Sequence, residues 1–190
     1  MKIALYFGSF NPVHTGHLII ANHVMSHCNV DRLWFVISPH NPLKETAGLL
    51  NENHRLHLVQ LAIENEPKFK ASNIEFSLPR PSFTIDTMIY LQEKYPKYEF
   101  SIVVGSDSFQ NIKKWKNYKQ LLDNYHIIIY KRPGFDIDTS LSKNIEIVDA
   151  PLLDISSTYI RKLIKEKKSI RYLVAEEVMN EIKANSYYKL

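Results

Sequence analysis

The chain has 190 residues, 45% hydrophobic and 23% charged, a balance that excludes a disordered chain. Five glycines and nine prolines exclude collagen-like and low-complexity classes, and the length is that of one domain able to bury a core without staples. The net charge of +4 is compatible with nucleic acid and equally with anionic metabolites.

In chain order, Ile3–Phe7 reads as a short buried strand closed by Gly8. A helix over Gly16–His27 follows, with Leu18, Ile19, Val24 and Met25 turned inward. Leu33–Ser38 is a second buried strand, stopped by Pro39, and Glu52–Ile63 is amphipathic at near-helical spacing. The pattern makes Asn73–Leu78 a candidate strand. Ile85–Tyr95 is helical and ends before Pro96. Phe100–Val104, His126–Tyr130 and the shorter Ile145–Val148 are further strands. Ser157–Lys168 and Val174–Ala184 are terminal helices. Strands alternating with helices require parallel pairing through right-handed crossovers, and uniformly apolar strands require a sheet covered on both faces. The expected fold is a doubly wound α/β domain spanning 1–190, its last roughly 35 residues helical. No 20–50-residue repeat and no Gly/Ser-rich or Pro-rich linker divides it.

Cys28 is the single cysteine and asks for no oxidising compartment. The opening MKIALYFGSF lacks the features of a signal peptide, and runs such as Leu33–Ile37 fall far short of a membrane span. The expectation is a cytoplasmic protein with no membrane partner. The basic cluster Arg161–Lys168 reads largely as a solvated helix face at Lys165, Lys167 and Lys168.

Ligands of a doubly wound sheet bind beyond the carboxyl ends of its strands, so the residues after Phe7, Ser38, Val104 and Val148 are the ones to inspect. After the first strand comes Gly8-Ser9-Phe10-Asn11-Pro12-Val13-His14-Thr15-Gly16-His17. Gly8 permits a tight turn, the helix start presents free N–H groups, and His14 and His17 can donate to phosphate oxygens. The loop is neither a dinucleotide glycine motif nor a Walker loop. His14, His17, His23 and His27 lie within fourteen residues, but a zinc site lacks its usual ligand set. After the second strand, Pro39-His40-Asn41-Pro42-Leu43-Lys44 presents Lys44, either as a mobile charge for phosphate or as an ordinary surface lysine. Gly105-Ser106-Asp107 offers a carboxylate for a ribose or a helix cap, and Trp115 a stacking platform or a core anchor. Asp154-Ile155-Ser156-Ser157-Thr158-Tyr159-Ile160-Arg161 puts three hydroxyls before a helix, with Arg161 four residues after Ser157 on the same face. Two phosphate-binding helix starts suggest a clamped polyphosphate. The absence of a nucleophile motif points to phosphoryl or nucleotidyl transfer by positioning and charge stabilisation.

Gly8–His17 resembles the G-[ST]-F-x-P-x-H-x-G-H signature of the nucleotidylyltransferase superfamily, and Ile155–Arg161 resembles its I-S-S-T-x-I-R signature. Ser82-Phe83-Thr84-Ile85-Asp86-Thr87, Gly105-Ser106-Asp107, Trp115 and Arg132-Pro133-Gly134 are similar to the bacterial nicotinate-nucleotide adenylyltransferase family, over essentially the whole chain. The resemblance implies a Rossmann-like nucleotidylyltransferase fold. It also implies a Mg²⁺-dependent reaction of ATP with nicotinate mononucleotide to deamido-NAD and pyrophosphate, in a protein that can be a homo-oligomer and binds no nucleic acid. It carries His14, His17, Lys44 and Arg161 over as catalytic. It gives Gly8, Ser9, Phe10, Gly16, Gly105, Asp107, Ile155, Ser156, Ser157 and Thr158, with His14, His17 and Arg161, to ATP. It gives Ser9, Phe10, Lys44, Phe83, Thr84, Asp107, Trp115, Lys116 and Arg132 to the mononucleotide, with Mg²⁺ held mainly by the ATP phosphates rather than by protein ligands. Three positions depart from the pattern: Leu43 stands where a histidine often precedes the lysine, Phe83 replaces a common tyrosine, and Ser9 a common threonine. The alternatives are another adenylyltransferase of the superfamily, chiefly the phosphopantetheine enzyme, and a non-catalytic nucleotide or nucleic-acid binder.

Overall fold

The computed structural model describes residues 1–39, 48–151 and 153–189. The expected site residue Lys44, with Leu43 before it, lies outside the described residues. Six strands form one parallel sheet: β1 (Lys2–Gly8), β2 (Arg32–Ile37), β3 (Phe69–Ser72), β4 (Glu99–Gly105), β5 (His126–Tyr130) and β6 (Ile145–Val148), in the order β3-β2-β1-β4-β5-β6. Every pairing is parallel, Tyr6 of β1 standing between Phe35 of β2 and Val103 of β4. The strand order reverses between β1 and β4, which opens a crevice at their carboxyl ends.

Alternation along the strands feeds two faces. Ala4, Tyr6, Leu33, Phe35 and Ile37 pack against α1 (Thr15–His27), α2 (Glu52–Ala62), α6 (Ser157–Lys165) and α7 (Glu176–Ala184), through Ile20, Val24, Leu58, Ile160 and Val178 among others. Ile3, Leu5, Trp34, Val36 and Ile102 pack against Ile85, Met88 and Leu91 of α3 (Thr84–Lys94) and Leu121 of α5 (Tyr118–Asn124). Each such fully buried aliphatic side chain contributes about 1.5–3 kcal/mol.

Several sequence expectations need correction. The strand after α2 is Phe69–Ser72, and the expected strand at Asn73–Leu78 is instead a 3-10 turn over Ile74–Ser77. A four-residue edge strand carrying Lys70 has little apolar signal, whereas Ile74 and Phe76 have more, so the pattern pointed a few residues too far along. In α1 the fully covered side chains are Ile20, Ala21 and Val24; Leu18, Ile19 and Met25 are only half-buried. The penultimate helix stops at Lys165, and Lys167 turns the chain with φ 55°, a left-handed conformation that ends the helix. The last helix begins at Glu176, and α4 (Ser106–Phe109) and α5 are short helices the periodicity did not reveal.

Candidate active site

A cleft of about 470 Å³ opens over the carboxyl ends of β1 and β4. At one end, the loop after β1 is a rigid shelf. Phe10 adopts φ 44°, an uncommon conformation for a residue with a side chain. It is held there by edge-on packing of its buried ring on His17, Phe35 and Tyr6, at centroid distances of 5.0, 5.4 and 5.6 Å. His14 occupies the N-cap of α1 and stacks on His17 at 3.7 Å. The backbone N–H of His14 donates to Nδ1 of His17 at 3.2 Å, so that nitrogen carries a lone pair and the ring proton of His17 resides on Nε2. Burial, with the Arg132 guanidinium adding to it, pushes His14 down from 6.5 to about 4, which makes it a neutral imidazole at physiological pH. The His14 ring is therefore available as a hydrogen-bond donor or acceptor rather than as a fixed charge.

The second helix start meets this shelf directly. The Ser156 hydroxyl caps α6 by accepting from the Tyr159 N–H at 3.1 Å. Ser157 Oγ donates to Pro12 O at 2.9 Å, and Arg161 Nη1 donates to Asn11 O at 2.8 Å while its Nη2 donates to Thr158 Oγ1 at 3.2 Å. Residues from opposite ends of the chain thus form one wall, and Gly8, Ser9, Phe10, His14, His17, Ile155, Ser156, Ser157, Thr158 and Arg161 all line the cleft. Gly16 lies buried beside His14, whose Nδ1 would be 3.1 Å from a Cβ there, so the missing side chain leaves room for the histidine.

At the middle of the cleft β4 ends in Gly105. A Cβ there would collide with Asp107 Oδ1 and stand 2.9 Å from the Tyr130 ring, so the missing side chain makes room for these two groups. Asp107 faces Arg132, Nε to Oδ1 3.5 Å. The Arg132 N–H donates to Ser106 Oγ at 2.8 Å, which ties the ends of β4 and β5 together. Arg132 thus pairs with the Asp107 carboxylate and is also the cation whose charge acts on His14.

The far end is built from α3 and the segment before α5. Thr84 is the first residue of α3 and Phe83 its N-cap. Lys116 Nζ pairs with both oxygens of Asp86 at 2.9 and 2.8 Å and lies 5.0 Å from the Phe83 ring centroid. Phe83, Thr84, Trp115 and Lys116 line this end. Trp115 also packs on two apolar clusters, so its platform and anchor readings coincide in one residue.

Sequence reasoning missed the supports beneath. Arg55, fully buried on α2, donates from Nη1 to Ser9 O at 2.6 Å and Ser38 O at 2.8 Å, from Nη2 to Pro39 O at 3.1 Å and from Nε to Leu50 O at 2.8 Å. It stitches the ends of β1 and β2 together. A charge in an amphipathic helix reads as solvated, and only its placement at an otherwise inward position signalled it. The Tyr6 hydroxyl, pushed well up by burial, reaches Tyr130 at 3.4 Å in the cleft floor. Glu75, Ser38 and Ser82 complete the wall. Among the described residues no group of three or more His, Cys, Asp or Glu is placed to hold a metal ion, and His23 and His27 stack on each other at 3.9 Å.

A six-stranded parallel sheet whose first loop and late helix start close on one crevice defines a Rossmann-like nucleotidylyltransferase fold. Residues 5–163 match the family model described as cytidylyltransferase-like. The chain is 49% identical to a probable nicotinate-nucleotide adenylyltransferase of Cytophaga hutchinsonii over 99% of this chain and 98% of the relative. It is 48% identical to that of Flavobacterium psychrophilum over the whole of both. Its fold superposes with a TM-score of 0.82 on a Plasmodium falciparum nicotinic acid mononucleotide adenylyltransferase complexed with NaAD, at 24% identity and covering 98% and 97% of the two chains. The chain belongs to the nicotinate-nucleotide adenylyltransferase family, a family of nucleotidyltransferase enzymes. No helix among the described residues is long and apolar enough to cross a membrane.

Proposed function

We propose that the cleft joins ATP to nicotinate mononucleotide. The phosphate oxygen of the mononucleotide attacks the α-phosphorus of ATP. As the new P–O bond forms, the bond from the α-phosphorus to the α,β-bridging oxygen breaks, giving deamido-NAD and pyrophosphate. The substrate phosphate is itself the nucleophile, so no protein nucleophile is required. The enzyme's task is to bring two anions together and to meet the charge that develops on the leaving pyrophosphate. His14 and His17 hold the phosphates and the α-phosphorus as it reacts, as hydrogen-bonding imidazoles. The N–H groups of α6 with Ser156, Ser157, Thr158 and Arg161 take the β- and γ-phosphates, and Gly8, Ser9, Phe10 and Ile155 shape the floor. Gly105 and Asp107 contact the adenosine. Phe83, Thr84, Trp115 and Lys116 frame the nicotinate ring and its carboxylate, Arg132 adds positive charge between the two halves, and Lys44 is assigned to the transferring phosphate. Mg²⁺ enters on the triphosphate as part of the substrate. The protein acts in the cytoplasm.

One observation carries this reading: Ser157 and Arg161 dock on the carbonyls of Pro12 and Asn11, so that both signature segments face one crevice. The test is pyrophosphate release with ATP and each of nicotinate mononucleotide, its amide analogue and phosphopantetheine. The acid is expected to give the highest kcat/KM and the amide a low rate. Preference for phosphopantetheine would overturn the substrate assignment.

A further inference from the structure

Glu75 is the one carboxylate among the described residues that is buried, at 2% exposure, and no ion pair among those residues reaches it. A carboxylate taken out of water without a cation is costly unless donors replace its hydration. Two hydroxyls do so here: Ser82 Oγ donates to Oε2 and Thr87 Oγ1 donates to Oε1, each at 2.8 Å, and the nearby Ser38 side chain favours the charged form. Both oxygens are thus engaged by the protein itself, although Glu75 lines the cleft. An apolar side chain would fill the same space at less cost, so the carboxylate is explained by what it holds.

What it holds is specific. Ser82 lies immediately before Phe83, and Thr87 lies in the first turn of α3 just beyond Thr84. The two hydroxyls therefore pin the chain on either side of the pair that lines the far end of the cleft. Ser38 follows the end of β2 and lines the cleft with Glu75, and its carbonyl accepts from the fully buried Arg55 at 2.8 Å. Arg55 in turn holds Ser9. The turn that carries Glu75 packs on β2, so the pinned segment adjoins the frame that carries the histidine shelf.

We infer that Glu75 is a positioning residue for the mononucleotide: through Ser82 and Thr87 it fixes Phe83 and the start of α3 in the geometry that receives the aromatic ring. The inference rests on the assignment of that end of the cleft to the nicotinate half.

The experiment compares Glu75→Ala and Glu75→Gln with the wild-type enzyme in steady-state kinetics, alongside amide hydrogen exchange of residues 82–87 without ligand. Loss of the clamp in Glu75→Ala is expected to raise KM for nicotinate mononucleotide about tenfold, leaving KM for ATP within about twofold. Glu75→Gln keeps the size and one acceptor and is expected to recover most of that loss. Exchange over 82–87 is expected to quicken in both, most in the alanine variant. Should KM for the two substrates rise together, should neither change, or should exchange stay as in wild type, the positioning role is wrong. If Glu75→Ala does not fold, Ser82→Ala and Thr87→Val each remove one donor, and the same split in KM decides the matter. A wild-type preference for a different acceptor would sink the substrate assignment alone, since the ligand-free exchange still decides whether Glu75 holds this segment.

Discussion

The two ends of the cleft are built by different means. The histidine shelf is made of backbone and rings locked by long-range contacts: Phe10 in a left-handed turn under His17, α6 docked on Pro12 O and Asn11 O, and Arg55 beneath. The ring end is made of side chains paired with one another, Lys116 with Asp86 and Glu75 with its hydroxyls. The difference matches what each end would bind. A triphosphate presents oxygens in many directions and is served by convergent N–H groups and hydroxyls that need no reorganisation. A flat ring with one carboxylate is served by a platform and by a few groups whose placement sets specificity. Changes at the first end should therefore act on turnover, and changes at the second on affinity for one substrate.

The sharpest test of that division is His17→Ala. His17 contributes a donor at Nε2 and, through Nδ1, orders the N-cap of α1. Loss of one preorganised donor at a reacting phosphate is expected to cost about 10²–10³-fold in kcat, with KM for nicotinate mononucleotide changed little. Circular dichroism should report an intact fold. A kcat within a few-fold of wild type would remove His17 from the chemistry.

The shelf was legible in the sequence because its parts are contiguous: a glycine after an apolar run, two histidines at a helix start, three hydroxyls before another helix. Their meeting was an expectation of topology, and Ser157 on Pro12 O realises it. The supports were not legible. Arg55 sits in an amphipathic stretch and Glu75 in the candidate strand Asn73–Leu78, and only the tertiary fold turns Arg55 toward the carbonyls of Leu50, Ser9, Ser38 and Pro39 and Glu75 toward the hydroxyls of Ser82 and Thr87. The short edge strand Phe69–Ser72 was hidden for a related reason. Its pairing with β2 fixes it, while its own four residues carry little pattern.

His14 sharpens the comparison from the side of stability. Burial first, and Arg132 second, hold its folded value at about 4 against an ordinary 6.5. The unfolded chain therefore takes up a proton that the folded one refuses as pH falls between those values. Stability should decline over that window, by about 3 kcal/mol in all, and stay level with respect to this group above it. Glu75 acts in the opposite sense, because burial raises it and the folded form gains protons ahead of the unfolded one. The difference between wild type and His14→Gln in urea unfolding from pH 7 to pH 4 isolates the histidine: the variant should lose the slope. An equal slope in both would mean that His14 is not held neutral.

The smallest expected effect lies at the ring end, in Trp115. Its indole lines the cleft and also bridges two apolar clusters, so truncation should cost both stability and binding. Stacking of an aromatic platform on a flat ring is worth about 1–3 kcal/mol in related settings. Trp115→Ala is therefore expected to raise KM for nicotinate mononucleotide about tenfold, while KM for ATP and kcat move little. Trp115→Phe, which keeps a ring and most of the packing, should recover most of the affinity. The two roles separate in the readout. A lower Tm with both KM values unchanged would make Trp115 a core anchor only, and would leave Phe83, Thr84 and Lys116 to define the ring end without a platform. A rise confined to the mononucleotide would place the ring against the indole and keep the division between the two ends.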